Sequence, residues 1–272
     1  MRINTLKASP SKVVAEAALQ GFRLERSHPT DNTLYTATGP KTPGNMPAYF
    51  LGYLHPQALT SCLAGPALAP EPAAYVLDMC AAPGGKTAHL AALTENRGLV
   101  VANDLHAGRH PALAHTLGRL GVMNFVMTAY QAQEFPRRHG FQFVLADVPC
   151  SGEGVFRAVK GRSKPIRGTR AARFPELQRR ILKRGFDLLE PAGVLLYATC
   201  TYDPEENEAV VDNLLRERDA DVLPLYPGVP CEAGITEWKD MRYDARLEHT
   251  RRFYPHGVDS VGFYMARLCR RD

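Results

Sequence analysis

The chain has 272 residues, of which 45% are hydrophobic, and a formal net charge of +5 at pH 7. It is long enough to bury one large core and a small appended unit, which argues against a disordered tail or linker. It contains no run of about 18 uncharged apolar residues, and its first residues, M-R-I-N-T-L-K, lack the apolar block of a signal peptide, so we expect a cytoplasmic protein.

The first 50 residues predict a small α/β unit. A short strand is expected in R-I-N-T-L and one amphipathic helix over residues 11–24, followed by a Gly- and Pro-rich connection over residues 38–47. Residues 51–74 are interpreted as a connecting segment that leads into the main domain, residues 75–272.

From Tyr75 onward, short apolar runs alternate with helix-length stretches, which is typical of βαβ units with a parallel sheet. The predicted strands are Y-V-L-D-M (75–79), L-V-V-A-N-D (99–104), F-V-M-T (125–128), F-V-L-A-D-V (143–148) and V-L-L-Y-A-T (194–199). Helices are predicted over 86–94, 109–120, 175–189 and 204–218, the last with Asp203 as its N-cap. Residues 222–225 and 262–268 are expected to close the sheet as an antiparallel ribbon.

The loop after the first predicted strand, L-D-M-C-A-A-P-G-G-K-T (77–87), ends like a phosphate-binding P-loop. The P-loop pattern G-x-x-x-x-G-K-[ST] requires a glycine where Cys80 stands, and Pro83 breaks the pattern as well. Glycine is needed there because the chain turns sharply under the phosphates and a Cβ is poorly tolerated. A nucleotide-hydrolysing P-loop protein is therefore disfavoured.

The same loop favours a nucleoside cofactor. Asp78 ends the first predicted strand and Asp104 the second, and an acid about 20 residues after such a loop accepts hydrogen bonds from ribose hydroxyls. The pyrophosphate pattern G-x-G-x-x-G is absent, which disfavours NAD and leaves S-adenosylmethionine as the better candidate. The alternative is that both aspartates only cap strands or helices.

Two cysteines follow neighbouring predicted strands. The six cysteines of the chain include no C-x-x-C pair, which argues against a zinc cluster, and an intracellular location argues against disulfides. The fourth strand runs into D-V-P-C and the fifth into A-T-C-T, so Cys150 and Cys200 are predicted at the cofactor end of the sheet. The alternative is that both are small buried apolar residues.

A thiolate, a carboxylic acid and a sulfonium methyl donor in one cleft suit methylation of a pyrimidine carbon. Carbon 5 of cytosine becomes nucleophilic after a thiolate adds to carbon 6 and ring nitrogen 3 is protonated. Asp147 is predicted to protonate or hydrogen-bond that nitrogen. A base must then remove the carbon 5 proton, and a second cysteine is suited to help expel the enzyme. Because a helix hides carbon 6, the target base is expected to be flipped or unpaired.

Positive charge is concentrated in one segment. Residues 157–184 contain eleven Lys or Arg and one acid, Glu176, a net charge of +10, whereas the other 22 basic and 27 acidic residues give −5. This asymmetry predicts contact with a polyanion, and Arg162, Lys164 and Arg167 are expected to bind RNA phosphates beside the active site. The alternative is a solvated charged face.

Six segments of the chain are distinctive as a set: D-M-C-A-A-P-G-G-K-T, D-V-P-C-S-G-E-G, A-T-C-T-Y-D-P-E-E-N-E, R-F-Y-P-H-G-V-D-S-V-G-F, R-I-N-T-L-K and G-Y-L-H-P-Q. Together they resemble the NOL1/NOP2/Sun family of RNA (cytosine-5) methyltransferases. The resemblance spans nearly the whole chain. It implies an α/β class I Rossmann-like methyltransferase fold with a mostly parallel seven-stranded sheet. It also implies S-adenosylmethionine as methyl donor and 5-methylcytosine in tRNA or rRNA as product, with tRNA slightly favoured.

The resemblance also implies roles for individual residues. Cys200 matches the nucleophile and Cys150 the cysteine that assists product release. Asp147 would lie at the junction of cofactor and target base, with Lys86 near that base. No metal is expected. The cofactor-binding positions implied are Cys80, Ala81, Ala82, Pro83, Gly84, Gly85, Lys86, Asp104, Arg109, Gln131 and Asp147.

The chain departs from the family pattern in two respects. The family usually has an aspartate that accepts from the adenine amino group, and the nearest match here is Gln131, whose amide oxygen still accepts; Tyr130 is the alternative contact. Larger relatives carry an additional RNA-binding module. Here residues 1–50 are the expected RNA-binding unit of a monomer, and a partner protein that supplies further RNA binding stays open.

Two other functions stay open on the sequence alone. A DNA cytosine-5 methyltransferase shares the chemistry but uses the cysteine of its P-C motif, here Cys150, as nucleophile. An RNA-binding or ribosome-assembly factor that retains the fold is the other alternative, suggested by Gln131. An adduct on Cys150 rather than Cys200 would identify the DNA-type enzyme. Methyl transfer with turnover would distinguish an RNA methyltransferase from a binding or assembly factor.

Overall fold

The computed structural model describes residues 1–155 and 168–271. The strands in these ranges are β1 (Arg2–Ile3), β2 (Arg23–Arg26), β3 (Tyr35–Thr38), β4 (Leu54–His55), β5 (Tyr75–Asp78), β6 (Leu99–Asn103), β7 (Phe125–Thr128), β8 (Phe141–Asp147), β9 (Leu189–Thr199), β10 (Ala220–Leu223), β11 (Glu232–Ala233), β12 (Glu237–Trp238), β13 (Met241–Arg242), β14 (Arg251–Phe253) and β15 (Phe263–Arg270). The helices are α1 (Pro10–Leu19), α2 (Pro47–Phe50), α3 (Leu59–Cys62), α4 (Ala64–Leu68), α5 (Gly85–Leu93), α6 (His110–Leu120), α7 (Phe174–Asp187) and α8 (Glu208–Glu217). None of the helices in the described ranges is long and apolar enough to cross a membrane.

Five parallel strands form the centre of the main sheet, in the order β9-β8-β5-β6-β7. Consecutive apolar residues such as Val76, Leu77 and Val144 are fully buried, as expected of parallel strands covered on both faces. The chain leaves β5 towards β6 and β7 on one side and returns to β8 on the other. The strand order therefore reverses between β5 and β8, and a crevice for a ligand is expected at the carboxyl ends of these strands.

The predicted fold class is confirmed, and all five predicted parallel strands are present. The predicted antiparallel ribbon is present too, with Val222 of β10 opposite Leu268 of β15. The sheet has nine strands rather than seven, because β14 pairs with β15 and β11 pairs with β14. These two strands have three and two residues, too few for an alternating pattern to reveal them in the sequence.

The predicted helix over residues 11–24 is shorter than expected. It is α1, which ends at Leu19, and Gly21 follows with a φ of 76° in the left-handed region that stops a helix. Residues 23–26 form β2 instead, which pairs with β3. The apolar periodicity of the sequence continued past this glycine and concealed the turn.

The first 55 residues have an apolar core of their own. Ile3, Val13, Ala17 and Leu54 are among its buried side chains, and β1 pairs with β4. The pairing of β1 with β4 extends the contacts of this unit beyond residue 50. The division of the chain into domains at residues 50 and 74 stays a prediction.

The motif R-I-N-T-L-K fastens this unit to the main domain. The side-chain amide of Asn4 donates to the carbonyl oxygen of Gly52 at 2.9 Å and to that of Leu120 at 2.7 Å. Lys7 Nζ donates to the carbonyl oxygen of Arg119 at 3.0 Å. These bonds satisfy the carbonyls at the end of α6, the helix that follows β6.

Replacing Asn4 by alanine tests this junction. Asn4 is 1% exposed, so the carbonyl oxygens of Gly52 and Leu120 would stay buried without their donor. We expect the free energy of unfolding to fall by about 2 kcal/mol, measured by urea titration. The control is Asn213→Ala on α8, where an exposed bond to Glu217 is removed and a change below about 0.5 kcal/mol is expected. Equal losses in the two variants would contradict the role of Asn4.

Candidate active site

Four strand ends meet at one edge of the main sheet. Asp78 ends β5, Asn103 ends β6 with Asp104 directly after it, Asp147 ends β8, and Cys200 follows β9. Because these strands are parallel neighbours, the four positions lie along the same edge. This edge is also the one where the strand order reverses, which is where open α/β sheets bind their ligands.

Asp78 fastens the helix that follows. Its Oδ2 accepts a hydrogen bond from Thr87 Oγ1 of α5 at 2.7 Å, and the residue is 1% exposed. Burial raises the pKa of Asp78 to about 7, while the bond from Thr87 acts in the opposite direction. Asp78 is therefore tied to α5 through a side-chain bond inside the fold.

The loop over residues 80–86, between β5 and α5, follows a tight path along the sheet edge. The amide of Ala81 donates to the carbonyl oxygen of Asn103 at 2.8 Å. The amide of Ala82 donates to Asp104 Oδ2 at 3.1 Å. The loop thus lies directly against the end of β6.

Two glycines allow other groups to approach this loop closely. Gly84 has a φ of 103° and caps the N-terminus of α5, a conformation that other residues rarely adopt. A Cβ on Gly85 would lie 2.7 Å from His55 Nε2, so the motif G-Y-L-H-P-Q packs against the loop. Burial lowers the pKa of His55 to about 4 and raises the pKa of the Cys80 thiol, which keeps both side chains neutral.

Asp104 and Arg109 form an ion pair at the edge of the same loop. Arg109 Nη1 lies 3.0 Å from Asp104 Oδ2, and Arg109 Nη2 donates to the carbonyl oxygen of Ala82. Asp104 Oδ1 accepts from the amide of His106 at 3.1 Å. The side chain of Arg109 is half-exposed, whereas that of Asp104 is buried. The structure therefore brings these two predicted site residues together.

Asn103 is a site-forming residue that the sequence analysis overlooked. It is fully buried, and its amide nitrogen donates to the carbonyl oxygens of Met79 and Tyr130, both at 3.0 Å. Its amide oxygen accepts from the amide of Tyr130 at 2.9 Å. Asn103 therefore holds together the loops that follow β5 and β7. A polar residue at the end of an apolar strand was the signal in the sequence.

Gln131 lies at the outer end of this corner. Its Oε1 accepts from Gln133 Nε2 at 2.7 Å, and the residue is exposed. The neighbouring Tyr130 is 46% exposed and packs edge-to-face on Phe135 with ring centroids 5.4 Å apart. Both residues that were considered for the adenine contact thus stand at the surface beside the end of β7.

Lys86 joins the loop to the end of β8. Its Nζ lies 2.7 Å from Asp147 Oδ2, with 17% and 25% of the two side chains exposed, and it also faces the ring of Phe263 at 5.5 Å. Burial by itself lowers the pKa of Lys86, but the charge and hydrogen bond of Asp147 outweigh it and raise the pKa overall. The ammonium group therefore stays charged at neutral pH.

The two predicted cysteines are in contact. Cys150 Sγ and Cys200 Sγ are 3.1 Å apart, and the backbone amide of Cys200 donates to Cys150 Sγ at 3.4 Å. The hydrogen bond from the Cys150 thiol, assisted by the charge of Lys86, lowers the pKa of Cys200 despite burial and the nearby Asp147. The same bond, with burial, raises the pKa of Cys150. The pKa of Cys200 is thus the lower of the two.

A buried carboxylate holds the two cysteine loops together. Glu206 Oε2 accepts from the amide of Ser151 at 3.1 Å and from Gln178 Nε2 at 2.7 Å. Gln178, on α7, also donates to the carbonyl oxygen of Pro149 at 2.9 Å. Burial raises the pKa of Glu206, against the effect of these hydrogen bonds. The residues on both sides of Cys150 are thereby tied to the loop after β9.

Asn207 fixes the backbone around Cys200 in the same way. Thr199 Oγ1 donates to Asn207 Oδ1 at 2.6 Å, and Asn207 Nδ2 donates to the carbonyl oxygen of Thr201 at 3.1 Å. The hydroxyl groups of Thr201 and Ser151 lie 2.8 Å apart and connect the two loops a second time. The position of the Cys200 thiol is thus determined by bonds on both of its flanks.

The prediction that Asp203 caps a helix starting at residue 204 is wrong. Helix α8 begins at Glu208 with Asn207 as its N-cap, and Asp203 Oδ1 accepts from the amide of Glu205 in a separate turn. The physical reason is that the Glu206 and Asn207 side chains point into the site, which residues in a helix starting at 204 would not do. The proline and acids of D-P-E-E-N-E resembled a helix N-terminus and concealed these roles.

A buried ion pair supports the loop after Cys200 from below. Arg252 of β14 and Glu208 of α8 are 4% and 0% exposed, and Arg252 Nε donates to Glu208 Oε1 at 2.6 Å. Arg252 Nη2 donates to Glu208 Oε2, and Nη1 donates to the carbonyl oxygen of Tyr202 at 3.0 Å. Burial lowers the pKa of Arg252, but Glu208 raises it overall. Such a pair is stable because both charges are fully hydrogen-bonded.

The predicted phosphate-binding residues Arg162, Lys164 and Arg167 lie outside the described residues. The described part of the basic segment continues along α7. There Arg180 lies 3.6 Å from Glu134, and Lys183 pairs with Glu217.

The edge of the sheet combines two cysteine side chains in contact, a carboxylate and an ammonium group. This set suits nucleophilic attack coupled to proton transfer. The loop over residues 80–86 and Asp104 supply the backbone and carboxylate groups that a nucleoside would bind. Across residues 1–155 and 168–271, the His, Cys, Asp and Glu side chains form no group that could hold a metal ion.

Similarity to known proteins extends over the whole chain. The model of one family, described as the 16S rRNA methyltransferase RsmB/F, matches residues 66–269. The 26S rRNA (cytosine-C(5))-methyltransferase nsun-1 of Caenorhabditis elegans is 35% identical over 98% of this chain and 41% of its own length. The tRNA (cytosine(49)-C(5))-methyltransferase of Pyrococcus abyssi is 34% identical over 98% of this chain and 86% of its own length.

The fold is also similar to a solved structure, a methyltransferase homolog protein from Pyrococcus horikoshii. The TM-score is 0.87 at 31% sequence identity, and the match covers 99% of this chain and 85% of that chain. The chain spans less than half the length of the first rRNA relatives, 41% of the nematode protein and 34% of two mammalian 28S rRNA enzymes.

Alkylation with iodoacetamide tests which thiol is ionised. We expect Cys200 to react faster than Cys150 below pH 9.0, the ordinary thiol pKa, because a lowered pKa leaves more thiolate at a given pH. In Lys86→Met the pKa of Cys200 should rise, and its rate at neutral pH should fall by about threefold to tenfold. Mass spectrometry of the modified peptides gives both rates.

The control for this measurement is Lys183→Met, which removes a lysine from the outer side of α7 and should leave both rates unchanged. Faster alkylation of Cys150 than of Cys200, or no effect of Lys86→Met, would contradict the assignment.

Proposed function

The chain belongs to the family of the 16S rRNA methyltransferases RsmB/F, and we propose that it transfers a methyl group from S-adenosylmethionine to carbon 5 of cytosine in RNA. The observation that carries this proposal is the contact of two thiols, 3.1 Å apart, at the sheet edge that also holds Lys86 and Asp147. The relatives named as tRNA and rRNA cytosine-C5 methyltransferases support the same reaction.

S-adenosylmethionine, which supplies the methyl group when bound, fits the crevice at the ends of β5 and β6. The backbone of residues 80–86 would face the cofactor, and Asp104 would accept hydrogen bonds from the ribose hydroxyls. Arg109, which now pairs with Asp104, would either move away or keep one oxygen of that carboxylate while the ribose binds. Gln131 or Tyr130 would contact the adenine at the end of β7.

The side chains at the ends of β8 and β9 divide the chemistry. The Cys200 thiol gives its proton to Asp147, the thiolate adds to carbon 6 of the cytosine, and Asp147 passes the proton to ring nitrogen 3. Lys86 holds Asp147 in place through the 2.7 Å bond and favours the thiolate. Carbon 5 then accepts the methyl group and loses its proton to a base, the bond between carbon 6 and the sulfur breaks, and ring nitrogen 3 returns its proton to Asp147. Cys200 is expelled, and Cys150, in contact with it, assists this release.

We propose tRNA as the substrate in preference to rRNA. A relative named as a tRNA (cytosine(49)-C(5))-methyltransferase, from Pyrococcus abyssi, is 34% identical over 98% of this chain and supports this choice. The target cytosine would be flipped or already unpaired, since carbon 6 is hidden within a helix. The unit over residues 1–50 and the basic segment over residues 157–184 are the proposed contacts with the remainder of the RNA.

Covalent trapping tests the mechanism. Cys150→Ala, incubated with S-adenosylmethionine and tRNA or rRNA, should give a protein–RNA band on a denaturing gel, because release is impaired. The band should vanish when Cys200 is also replaced, and Cys200→Ala alone should lose methylation by at least about a thousandfold. Cys269→Ala, on β15 away from the site, should behave like the wild type.

Each other result of the trapping experiment has a distinct meaning. An adduct on Cys150 would support the DNA-type mechanism in place of the proposed one. A wild-type protein that neither methylates nor traps tRNA or rRNA would contradict the proposed activity and favour a binding role.

Salt-dependent binding tests the basic segment. Replacing Arg162, Lys164 and Arg167 by alanine should weaken tRNA binding and reduce the slope of log Kd against log salt by about one for each phosphate that is no longer neutralised. The measurement is a tRNA titration at several NaCl concentrations. The control removes three exposed arginines outside both proposed RNA contacts, namely Arg97, Arg242 and Arg271. An unchanged slope in the first variant would remove the segment from the RNA interface.

A further inference from the structure

Three aromatic rings form a continuous stack beside the nucleophile. Tyr202, two residues after Cys200, stacks on Tyr254 with ring centroids 5.5 Å apart and planes at 18°. Tyr254 stacks on His256 with the same separation and angle. The side chain of His256 is 77% exposed. The stack therefore leads from the loop of the nucleophile to the protein surface.

The inner end of the stack is mechanically connected to Cys200. A Cβ on Gly262 would lie 2.2 Å from the Tyr202 ring, so this ring rests directly on the Gly262 backbone. The amide of Gly262 donates to the carbonyl oxygen of Gly154, and the amide of Gly154 donates to that of Cys200, both at 2.9 Å. A ligand held by the stack is thereby held at a fixed position relative to the thiol.

The buried Arg252 orients the rings before any ligand arrives. Its Nη1 donates to the Tyr254 hydroxyl at 3.2 Å and to the carbonyl oxygen of Tyr202 at 3.0 Å. Arg252 is itself fixed by the two bonds to Glu208. Because the rings are already ordered, little conformational entropy is lost when a further ring is added to the stack.

The outer face of His256 is open to such a ring. Glu232 Oε1 lies 3.8 Å from His256 Nε2, and 77% of the His256 side chain is still exposed. Aromatic side chains, His among them, bind unstacked nucleobases by stacking, whatever the base. When a target cytosine is flipped, the base next to it loses a stacking partner on one side.

We propose that the outer face of His256 stacks on the base of a nucleotide adjacent to the target cytosine. The proposal rests on the proposed function, since it presupposes an RNA substrate at Cys200. Stacking of one base is worth about 1–3 kcal/mol, which corresponds to about 5- to 100-fold in affinity. The effect is expected in KM, because His256 does not face the reacting atoms.

Three substitutions at the exposed His256 separate stacking from other roles. His256→Ala and His256→Gln remove the ring and should raise the KM for the RNA substrate by about 5- to 100-fold, with kcat unchanged. His256→Phe keeps a ring and should retain the wild-type KM. His115→Ala removes an exposed histidine from α6, outside the stack, and serves as the matched control with unchanged KM.

An abasic substitution in the RNA then identifies the partner of His256. Two transcripts are made, one with an abasic site immediately 5′ of the target cytosine and one with an abasic site immediately 3′ of it. For one of the two abasic transcripts, the KM of the wild type should rise as much as the KM of His256→Ala rises on intact RNA. When His256→Ala is tested on that same abasic transcript, KM should rise no further. Independent, multiplying effects at both positions would overturn the proposal.

The two proposals fail in different ways. If the wild-type protein methylates neither tRNA nor rRNA, the proposed function is contradicted. Methylation by the wild type together with an unaltered KM in His256→Ala removes the stacking site alone.

Discussion

The arrangement of the candidate site depends on the hydrogen bonds that the buried carboxylate of Glu206 accepts. This carboxylate accepts hydrogen bonds from the Ser151 amide and the Gln178 side chain, and Gln178 donates in turn to the carbonyl oxygen of Pro149. These bonds join the loop after β8, the loop after β9 and α7, so that cysteines from two different strands come within 3.1 Å. A buried carboxylate is costly, and the hydrogen bonds offset that cost. Its position is understandable because the chemistry requires two thiols in contact.

The two thiols differ in pKa chiefly because the hydrogen bond between them lowers the pKa of one and raises that of the other. The charge of Lys86 acts on Cys200, and the hydrogen bond from Cys150 acts in the same direction, so both lower the pKa of Cys200. For Cys150, the hydrogen bond to its neighbour and burial raise the pKa. Their surroundings thus give the two cysteines different pKa values, which suits the two roles, nucleophile and neutral thiol, that the proposed reaction needs.

The sequence predicted the location of the site better than the contacts that shape it. Asp78, Asp104 and both cysteines were placed correctly because each follows a short apolar run, and parallel strands bring such positions to one edge. The roles of Glu206 and Asn207 were not predictable in this way. Their segment has the composition of a helix N-terminus, and only long-range hydrogen bonds delay the helix to Glu208. Periodicity reports which residues face a core, and it contains no information about such bonds.

The charges at the site connect cofactor binding to activation of the nucleophile. With Cys200 ionised, the thiolate and the Asp147 carboxylate carry two negative charges, and Lys86 supplies one positive charge. The sulfonium group of the proposed donor would supply the second. Without it the partly buried cleft holds an excess negative charge, which a medium of low dielectric constant disfavours. On the proposed mechanism, the thiolate population would therefore increase when the donor binds.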